Sequence, residues 1–196
     1  ITLKPYLDLN SKFYIDDFDP EIIQIFDISK ILKSKNIIKE INSINEINFK
    51  SEKFSKNLLD EIKLRVELSY GRMSYVKKIL IDKNLFLCEG NINLMEEYPL
   101  LFFKCNININ DKKKFLKKFS IKSPEKNETL NLNLEGNLNI LNKKINFKNI
   151  KTNENFESSK EELKYFKQSF ENILFDESFL QIFDLKKFKN FIKEIS

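Results

Sequence analysis

Histidine and tryptophan are both absent from the 196 residues of this sequence. Without histidine, the chain cannot build the Ser/His/Asp or Cys/His arrangements of nucleophilic catalysis, or a metal site with a histidine ligand. Neither GxGxxG nor the phosphate-binding pattern GxxxxGKS/T occurs, so no glycine loop for cradling phosphate is expected. These absences exclude the familiar hydrolase and metalloenzyme classes, and we expect no cofactor and no metal.

Cysteine and long hydrophobic runs are also scarce. The two cysteines, Cys88 and Cys105, are too few and too far apart for a zinc site. The apolar run at residues 98–103 is much shorter than a membrane-spanning helix. The sequence begins at Ile1 without a charged, apolar leader, so we expect it to be part of a longer protein, with any membrane anchor or export signal upstream.

Charge of one sign is not concentrated anywhere in the chain. The 34 Lys and Arg residues exceed the 29 Asp and Glu residues by only five, and the basic residues are spread along the sequence. A nucleic-acid-binding protein would cluster basic residues with exposed aromatic ones, whereas the phenylalanines here occupy periodic, core-like positions. We therefore expect no nucleic-acid partner, and the 41% hydrophobic content is that of a folded domain.

Alternation of apolar and polar residues dominates the sequence from residue 60 to residue 150. This period of two is typical of strands that have one face in apolar surroundings and the other in water. Turn signals separate the runs at Gly71, at residues 96–99 and at residues 142–143. The pattern predicts an antiparallel meander.

Two similar hexapeptides, EGNINL at 89–94 and EGNLNI at 135–140, contain two of the three glycines. When the copies are aligned, Gly90 and Gly136 each occupy a position on the apolar row of a strand. Glycine inside a strand is tolerated where the sheet bends sharply or another backbone comes close, so these residues are candidate sheet-curling glycines. An ordinary β-bulge beside a turn is the alternative.

The turn that follows the first hexapeptide also predicts a register. Pairing Leu94 with Pro99 would place Gly90 opposite Phe103, and Cys88 opposite Cys105. A disulfide there is geometrically conceivable though strained. The pattern favours two small buried hydrophobic side chains with no bond, because free cysteine commonly behaves in that way.

Helical patterns flank and interrupt the strands. Pro20 opens a short helix over residues 22–32, and residues 111–119 predict an inserted helix that either caps the sheet or touches an anionic membrane surface. Ser158 with Glu161 forms a capping box, and further helical pieces start at Asp176 and Asp184. The apolar stripe of the helix at 111–119 is short, which fits a cap on the sheet better than contact with a membrane.

The predicted fold class is therefore α+β. It consists of a curled antiparallel β-sheet, a groove-like meander, with short inserted helices and a C-terminal helical cluster. Residues 1–156 form the sheet body, and residues 157–196 form the helical cluster, which packs on the sheet or caps it.

The strand, glycine and helix-start pattern resembles the C-terminal region of AsmA-like proteins of Gram-negative bacteria. The resembling elements are the alternating strand at 62–68, Gly71, the strand at 85–90, the segment at 92–94, the strand at 101–107 and the helix start at Asp111. The similarity covers roughly residues 45 to 150.

The resemblance implies a non-enzymatic envelope module. AsmA-like proteins are anchored in the inner membrane and project into the periplasm, where curled sheets are thought to carry phospholipid acyl chains for outer-membrane biogenesis. It implies phospholipid acyl chains as partners, envelope proteins as further candidates, and a periplasmic location with an inner-membrane anchor upstream. The expected lipid-facing groove is the apolar row Ile62, Leu64, Val66, Leu68, Phe86, Ile92, Leu94, Leu101, Phe103, Leu132, Leu134, Leu138 and Ile140.

Other interpretations of the same residues stay open. The apolar row would also suit a packed core beneath the helices, in which case the chain would be a scaffold or protein-interaction domain without lipid cargo. An enzyme is disfavoured, because the carboxylate pairs at 16–17 and 96–97 lie in turn-like stretches and suit solvated loops better than acid–base chemistry.

Overall fold

A computed structural model describes residues 7–16, 33–50, 60–118, 121, 127–142, 144–152, 156–157 and 159–175. Over these residues the chain forms one open sheet of nine strands, in which the order along the chain is also the order in space. The strands are β1 Leu7–Ile15, β2 Ile41–Lys50, β3 Glu61–Ser69, β4 Arg72–Ile81, β5 Asn84–Asn93, β6 Leu100–Ile109, β7 Leu130–Asn139, β8 Lys144–Thr152 and β9 Phe156–Glu157. The helices are α1 Lys35–Ile38, α2 Lys112–Lys118 and α3 Lys160–Phe175.

The sheet is mixed, which corrects the expectation of a purely antiparallel one. Strands β2 to β9 pair antiparallel with their neighbours, as the meander predicted, but β1 runs parallel to β2. A parallel pair needs a long crossover connection, and the chain between β1 and β2 contains α1. Neither strand was predicted individually, because the alternation that we recognised began only at residue 60, although residues 1–156 were assigned to the sheet body.

Polar residues interrupt the alternation in β1 and β2. Ser11 Oγ donates a hydrogen bond to Asn45 Oδ1 at 2.6 Å, and Asn45 Nδ2 donates one to Ser43 Oγ at 3.1 Å. These three side chains satisfy one another's hydrogen-bonding groups across the parallel pair of strands. They occupy positions where the alternation would otherwise place apolar residues.

Tight turns join the central strands. Tyr70 and Gly71 connect β3 to β4 with φ of 48° and 86°, and Asp82 and Lys83 connect β4 to β5 with φ of 47° and 65°. Two residues with positive φ match the right-handed twist of the strands they join. The turn predicted at Gly71 is confirmed, and β6 and β8 start after the turns predicted at residues 96–99 and 142–143.

The predicted helices are confirmed where the structure describes them. Helix α2 matches the expected helix at 111–119, and α3 begins at Lys160, close to the predicted capping box. The helix predicted at 22–32, Ser158 and the starts at Asp176 and Asp184 lie outside the described residues.

Candidate functional site

We use the name inner face for one surface of strands β1 to β8. It is formed by Leu64 of β3, by the residues of the other strands that lie in register with Leu64, and by every second residue from these along each strand. Residues directly opposite one another in a ladder share a face, and successive residues alternate between faces. The inner face carries the apolar row that the sequence predicted.

The inner face of β5 to β8 is filled by the protein itself. Phe115 and Leu116 of α2 are 1% and 2% exposed, and both pack in a buried cluster with residues of these strands. The Phe115 ring lies 5.9 Å from that of Phe86, and Leu163 of α3 packs against the same cluster. A smaller cluster joins Ile38 of α1 to Ile92 and Leu94. This half of the inner face is therefore a closed core.

The inner face of β1 to β4 is covered less completely. Leu64, Val66 and Leu68 of β3 are half-buried, and so are Met73 and Tyr75 of β4. Phe13 of β1, in register with Ile47, is 54% exposed. Fully buried residues in this half are Ser43, Phe49, Ile62 and Ile81.

The residues predicted to line a lipid groove divide between the two halves. Seven of them are buried: Ile62, Phe86, Ile92, Leu94, Leu132, Leu134 and Leu138. Six are half-buried: Leu64, Val66, Leu68, Leu101, Phe103 and Ile140. Apart from Ile62, all the buried ones belong to the closed core or to the Ile38 cluster. The fold thus brings the whole row onto one face but leaves only part of it accessible.

The two repeated glycines lie on either side of one aromatic residue. Gly90 and Gly136 both pair with Phe103, from β5 and β7 respectively, as the predicted register required for Gly90. A Cβ atom on Gly90 would lie 2.5 Å from the Tyr75 ring, and one on Gly136 would lie 2.8 Å from the Phe103 ring. The Phe103 ring also packs edge-on against Phe147, with 6.0 Å between the ring centroids. Aromatic rings therefore occupy the space that the missing side chains leave.

A β-bulge accompanies one of these glycines. The register between β7 and β8 shifts between Glu135 and Gly136, whereas Gly90 lies in regular ladders. The bulge alternative is therefore found at Gly136, where it occurs together with close backbone approach. A Cβ atom there would collide with the carbonyl oxygen of Asn146.

The two cysteines are bonded, which corrects the expectation of free thiols. Cys88 and Cys105 are directly opposite each other on β5 and β6, with 4.1 Å between their Cα atoms, and their sulfurs form a disulfide. Directly opposite positions bring the Cβ atoms close enough for this bond. The predicted register therefore placed the two cysteines opposite each other correctly. The prediction that they are free thiols, which rested on the general behaviour of buried cysteine, was wrong.

Lys77 is the one charged residue on the inner face of the described β1 to β8 strands. It lies between Leu64 of β3 and Cys88 of β5 in the ladders. It is half-buried, and burial lowers its pKa from 10.5 to about 8. Sequence reasoning missed Lys77 because Lys77 and Lys78 are adjacent and obscure the alternation. The register of the neighbouring strands was the signal that could have found it.

The opposite face of the sheet is polar and charged. Ion pairs join neighbouring strands, such as Arg65 to Glu46 at 3.3 Å and Lys104 to Glu135 at 3.4 Å. A shallow hollow of about 310 Å³ lies over Gly90, beside the half-exposed side chains of Val76 and Phe102. The ion pairs are exposed, so we attribute little stability to them.

The described residues offer little for catalysis or metal binding. No cluster of three or more acidic or cysteine side chains is placed to hold a metal ion in the part of the chain that is described. Glu96 and Glu97 are exposed in the turn before β6, where the Glu96 carboxylate accepts a hydrogen bond from Asn93. Of the described helices, none has the length and apolar character needed to cross a membrane.

Comparisons with known proteins give no further guidance. No family model, no curated protein and no solved structure matches the chain.

Proposed function

We propose that this chain is a non-enzymatic, AsmA-like module of the Gram-negative cell envelope, which holds phospholipid acyl chains on the inner face of β1 to β4. The observation that carries the proposal is the contrast between the two halves of that face. The β5 to β8 half packs with α2 and with Leu163 of α3 in one buried cluster, whereas Leu64 and Val66 of β3 are half-buried and belong to neither cluster of the described residues. An acyl chain covering them would gain about 0.8 kcal/mol for each buried methylene.

The disulfide supports the proposed location. Disulfides form and persist in oxidising compartments such as the bacterial periplasm and are rare in the cytosol. A bond between Cys88 and Cys105 therefore agrees with a periplasmic module, held at the inner membrane by a segment outside this sequence.

A matched pair of valines tests the proposal. Val66 is half-buried on the inner face, and Val76 is 45% exposed on the outer face of the adjacent strand. Each would be replaced by asparagine, and each protein would be incubated with phosphatidylglycerol–phosphatidylethanolamine vesicles and repurified. Bound lipid would then be counted by mass spectrometry.

We expect wild type and Val76→Asn to retain phospholipid, and Val66→Asn to bind it about tenfold more weakly because an amide replaces apolar contact surface. Absence of phospholipid from the wild-type protein would refute the proposal. An equal loss of bound phospholipid in the two variants would show that the binding surface is not on the inner face.

A second candidate is a scaffold or protein-interaction domain without lipid cargo. The observation that favours it is the burial of seven predicted groove residues by the protein itself. Deleting residues 158–196 distinguishes the two, because a scaffold would lose partner binding, whereas a lipid module would keep the lipid on β1 to β4.

A further inference from the structure

The two edges of the sheet differ in length. The edge strand β9 has two residues, whereas the edge strand β1 has nine, all of which pair with β2 without a bulge. In the described part of the chain, no strand pairs with the other side of β1. A long, regular edge offers a row of backbone N–H and C=O groups to a further strand, and folded proteins commonly shorten, bend or cover such an edge.

Every second residue of β1 directs its backbone groups away from β2. The N–H of Leu7 donates a hydrogen bond to the carbonyl oxygen of Glu40 at 3.1 Å, so the backbone groups of Leu7 point toward β2. This direction alternates along a strand. The residues whose backbone groups point to the open edge are therefore Asp8, Asn10, Lys12 and Tyr14. Each of them supplies one donor and one acceptor for an added strand.

Two adjacent aromatic side chains are exposed at this edge, on opposite faces of the sheet. Phe13 is 54% exposed on the inner face, and Tyr14 is 72% exposed on the outer face. A helix packed on one face would cover only one of them. A strand added at the edge would contact both, because cross-strand neighbours lie on both faces.

The sequence of β1 is complementary to itself when two copies run antiparallel. Ser11 is the central residue of β1, so a two-fold axis at Ser11 would pair all nine residues of one copy with those of the other. On the inner face, Leu7 would then lie opposite Ile15, and Leu9 would lie opposite Phe13. Both pairs are apolar, and residues with outward-pointing backbone groups face one another, as hydrogen-bonded pairs require.

The charges of β1 also fit this arrangement. On the outer face, Asp8 of one copy would be the diagonal neighbour of Lys12 of the other, within reach of a lysine side chain. Lys12 also pairs with Glu46 of its own copy at 3.5 Å. A lysine ammonium has three donors, so it can serve both carboxylates.

Other registers that keep the two inner faces on the same side fit less well. An axis at Lys12 would set two ammonium groups directly opposite each other, which is destabilising. An axis at Asn10 would leave Tyr14 and Ile15 beyond the end of the other β1 strand. The axis at Ser11 is therefore the favoured one.

We infer that β1 is a dimer interface, at which the β1 strands of two copies of this chain pair antiparallel about Ser11 and join the two sheets edge to edge. A two-fold interface of this kind uses the same surface on both copies, so it closes as a dimer and does not extend into a fibre. The inference does not rest on the proposed function, because it involves the edge of the sheet and needs no lipid.

The first test places proline at a position whose N–H points to the open edge. Asn10→Pro removes that N–H without removing a hydrogen bond to β2, and proline is found on edge strands where its missing donor would face solvent. Asn10→Ala, which keeps the N–H, is the matched control. Sedimentation equilibrium of the full chain across a dilution series gives the dissociation constant of the dimer, and circular dichroism compares the folding of the variants.

We expect wild type and Asn10→Ala to dimerise with similar dissociation constants. Asn10→Pro should dimerise about thirtyfold more weakly, because each copy loses one backbone hydrogen bond at the interface. Its circular dichroism spectrum should match that of Asn10→Ala, since the pairing with β2 is kept.

The second test locates the axis. Ser11→Cys would place two thiols directly opposite each other in a non-hydrogen-bonded pair, with Cα atoms about 4.5 Å apart, a distance that a disulfide spans. Mild oxidation should therefore convert Ser11→Cys into a covalent dimer on a non-reducing denaturing gel. Ser74→Cys is the control, because Ser74 is exposed on the interior strand β4, and it should run as a single chain.

A wild type that remains monomeric at the highest concentration of the series overturns the inference. A dimer that Asn10→Pro leaves unchanged also overturns it, and so does a dimer in which Ser11→Cys forms no covalent link, because another surface would then hold the two copies together. If Asn10→Pro does not fold, the crosslinking of Ser11→Cys decides alone. None of these results changes the lipid counts expected for Val66→Asn, so this inference and the proposed function fail separately.

Discussion

At the residue scale, the repeated glycines are explained by contacts and not by conformational freedom. Neither Gly90 nor Gly136 has a positive φ, whereas Gly71 does. Instead, the Tyr75 ring lies over Gly90 and the Phe103 ring over Gly136. The row across the sheet therefore alternates aromatic residue and glycine, and a ring from a neighbouring strand covers each glycine.

Replacing Gly136 by alanine tests this account. The added methyl group would meet the Asn146 carbonyl oxygen, which belongs to the backbone and cannot move aside cheaply, and also the Phe103 ring. We expect Gly136→Ala to lower the free energy of unfolding by about 1–3 kcal/mol in urea denaturation. Asn133→Ala, at an exposed position of the same strand, should change it by less than about 0.5 kcal/mol. Equal effects would contradict the account.

Lys77 makes stability depend on pH in a defined direction. Because its pKa is about 8 in the folded chain against 10.5 unfolded, the unfolded state binds more protons between these values. The contribution of Lys77 to stability therefore rises with pH through this window. The cost of its charge is fully present below about pH 8, on the order of 3 kcal/mol, and it disappears above about pH 10.5.

Lys77→Met should remove this dependence. At pH 7 the variant should be more stable than the wild type, and the difference should shrink as pH rises toward 10. Tyr75, which titrates on the same face at about 12, is common to both proteins and cancels in the difference. Urea denaturation from pH 7 to pH 10 measures this difference in the free energy of unfolding between variant and wild type, with Lys78→Met as the control. A constant difference across this range would show that Lys77 keeps its ordinary pKa.

At the scale of elements, the disulfide joins two strands that are adjacent in the chain. Its cysteines are separated by 17 positions. In the chain-entropy description, closing a loop of this size stabilises a protein by about 3 kcal/mol, because it restricts the unfolded chain.

The double variant Cys88→Ala, Cys105→Ala should therefore lose about 3 kcal/mol of unfolding free energy, and wild type with reductant should lose a similar amount. Adding reductant to the double variant should change nothing. Thiol titration of denatured protein exported to the periplasm should detect no free cysteine. Two titratable thiols would show that the bond does not form.

The strands differed in how readily their patterns could be recognised. Strand β7 alternates without a break, and every inner-face residue of it is buried. In β2, Ser43 and Asn45 occupy inner positions, and their hydrogen bonds replace the apolar contacts that a hydrophobicity pattern detects. In β4, Val76 and Leu80 lie on the outer face while Lys77 lies on the inner one. Period-two reasoning therefore succeeded in strands whose inner positions are apolar, such as β3 and β7, and failed where polar residues occupy those positions.

At the scale of the whole molecule, one continuous sheet has two different inner surfaces. In the described part of the chain three helices border it: α2 shares its buried cluster with β5 to β8 and with Ile79 and Ile81 of β4, and α3 contacts β8. The inner face of β1 to β4 is only partly apolar, because Ser11, Ser43, Asn45 and Lys77 share it with the half-buried residues of β3. It is on this half that the proposed function places an apolar occupant. The proposed lipid module and the scaffold alternative differ in what that occupant is.

The sequence alone determined the meander, the turn at Gly71, helix α2 and the register that sets Cys88 against Cys105, because alternation and turn chemistry act between residues close in the chain. Only the tertiary structure decided that β1 runs parallel to β2, that the cysteines are bonded, and which apolar residues are covered. Leu64 and Leu134 have the same alternating context in sequence, yet one is half-buried and the other is buried in the closed core. What separates them is the position of helices from elsewhere in the chain, which no local pattern specifies.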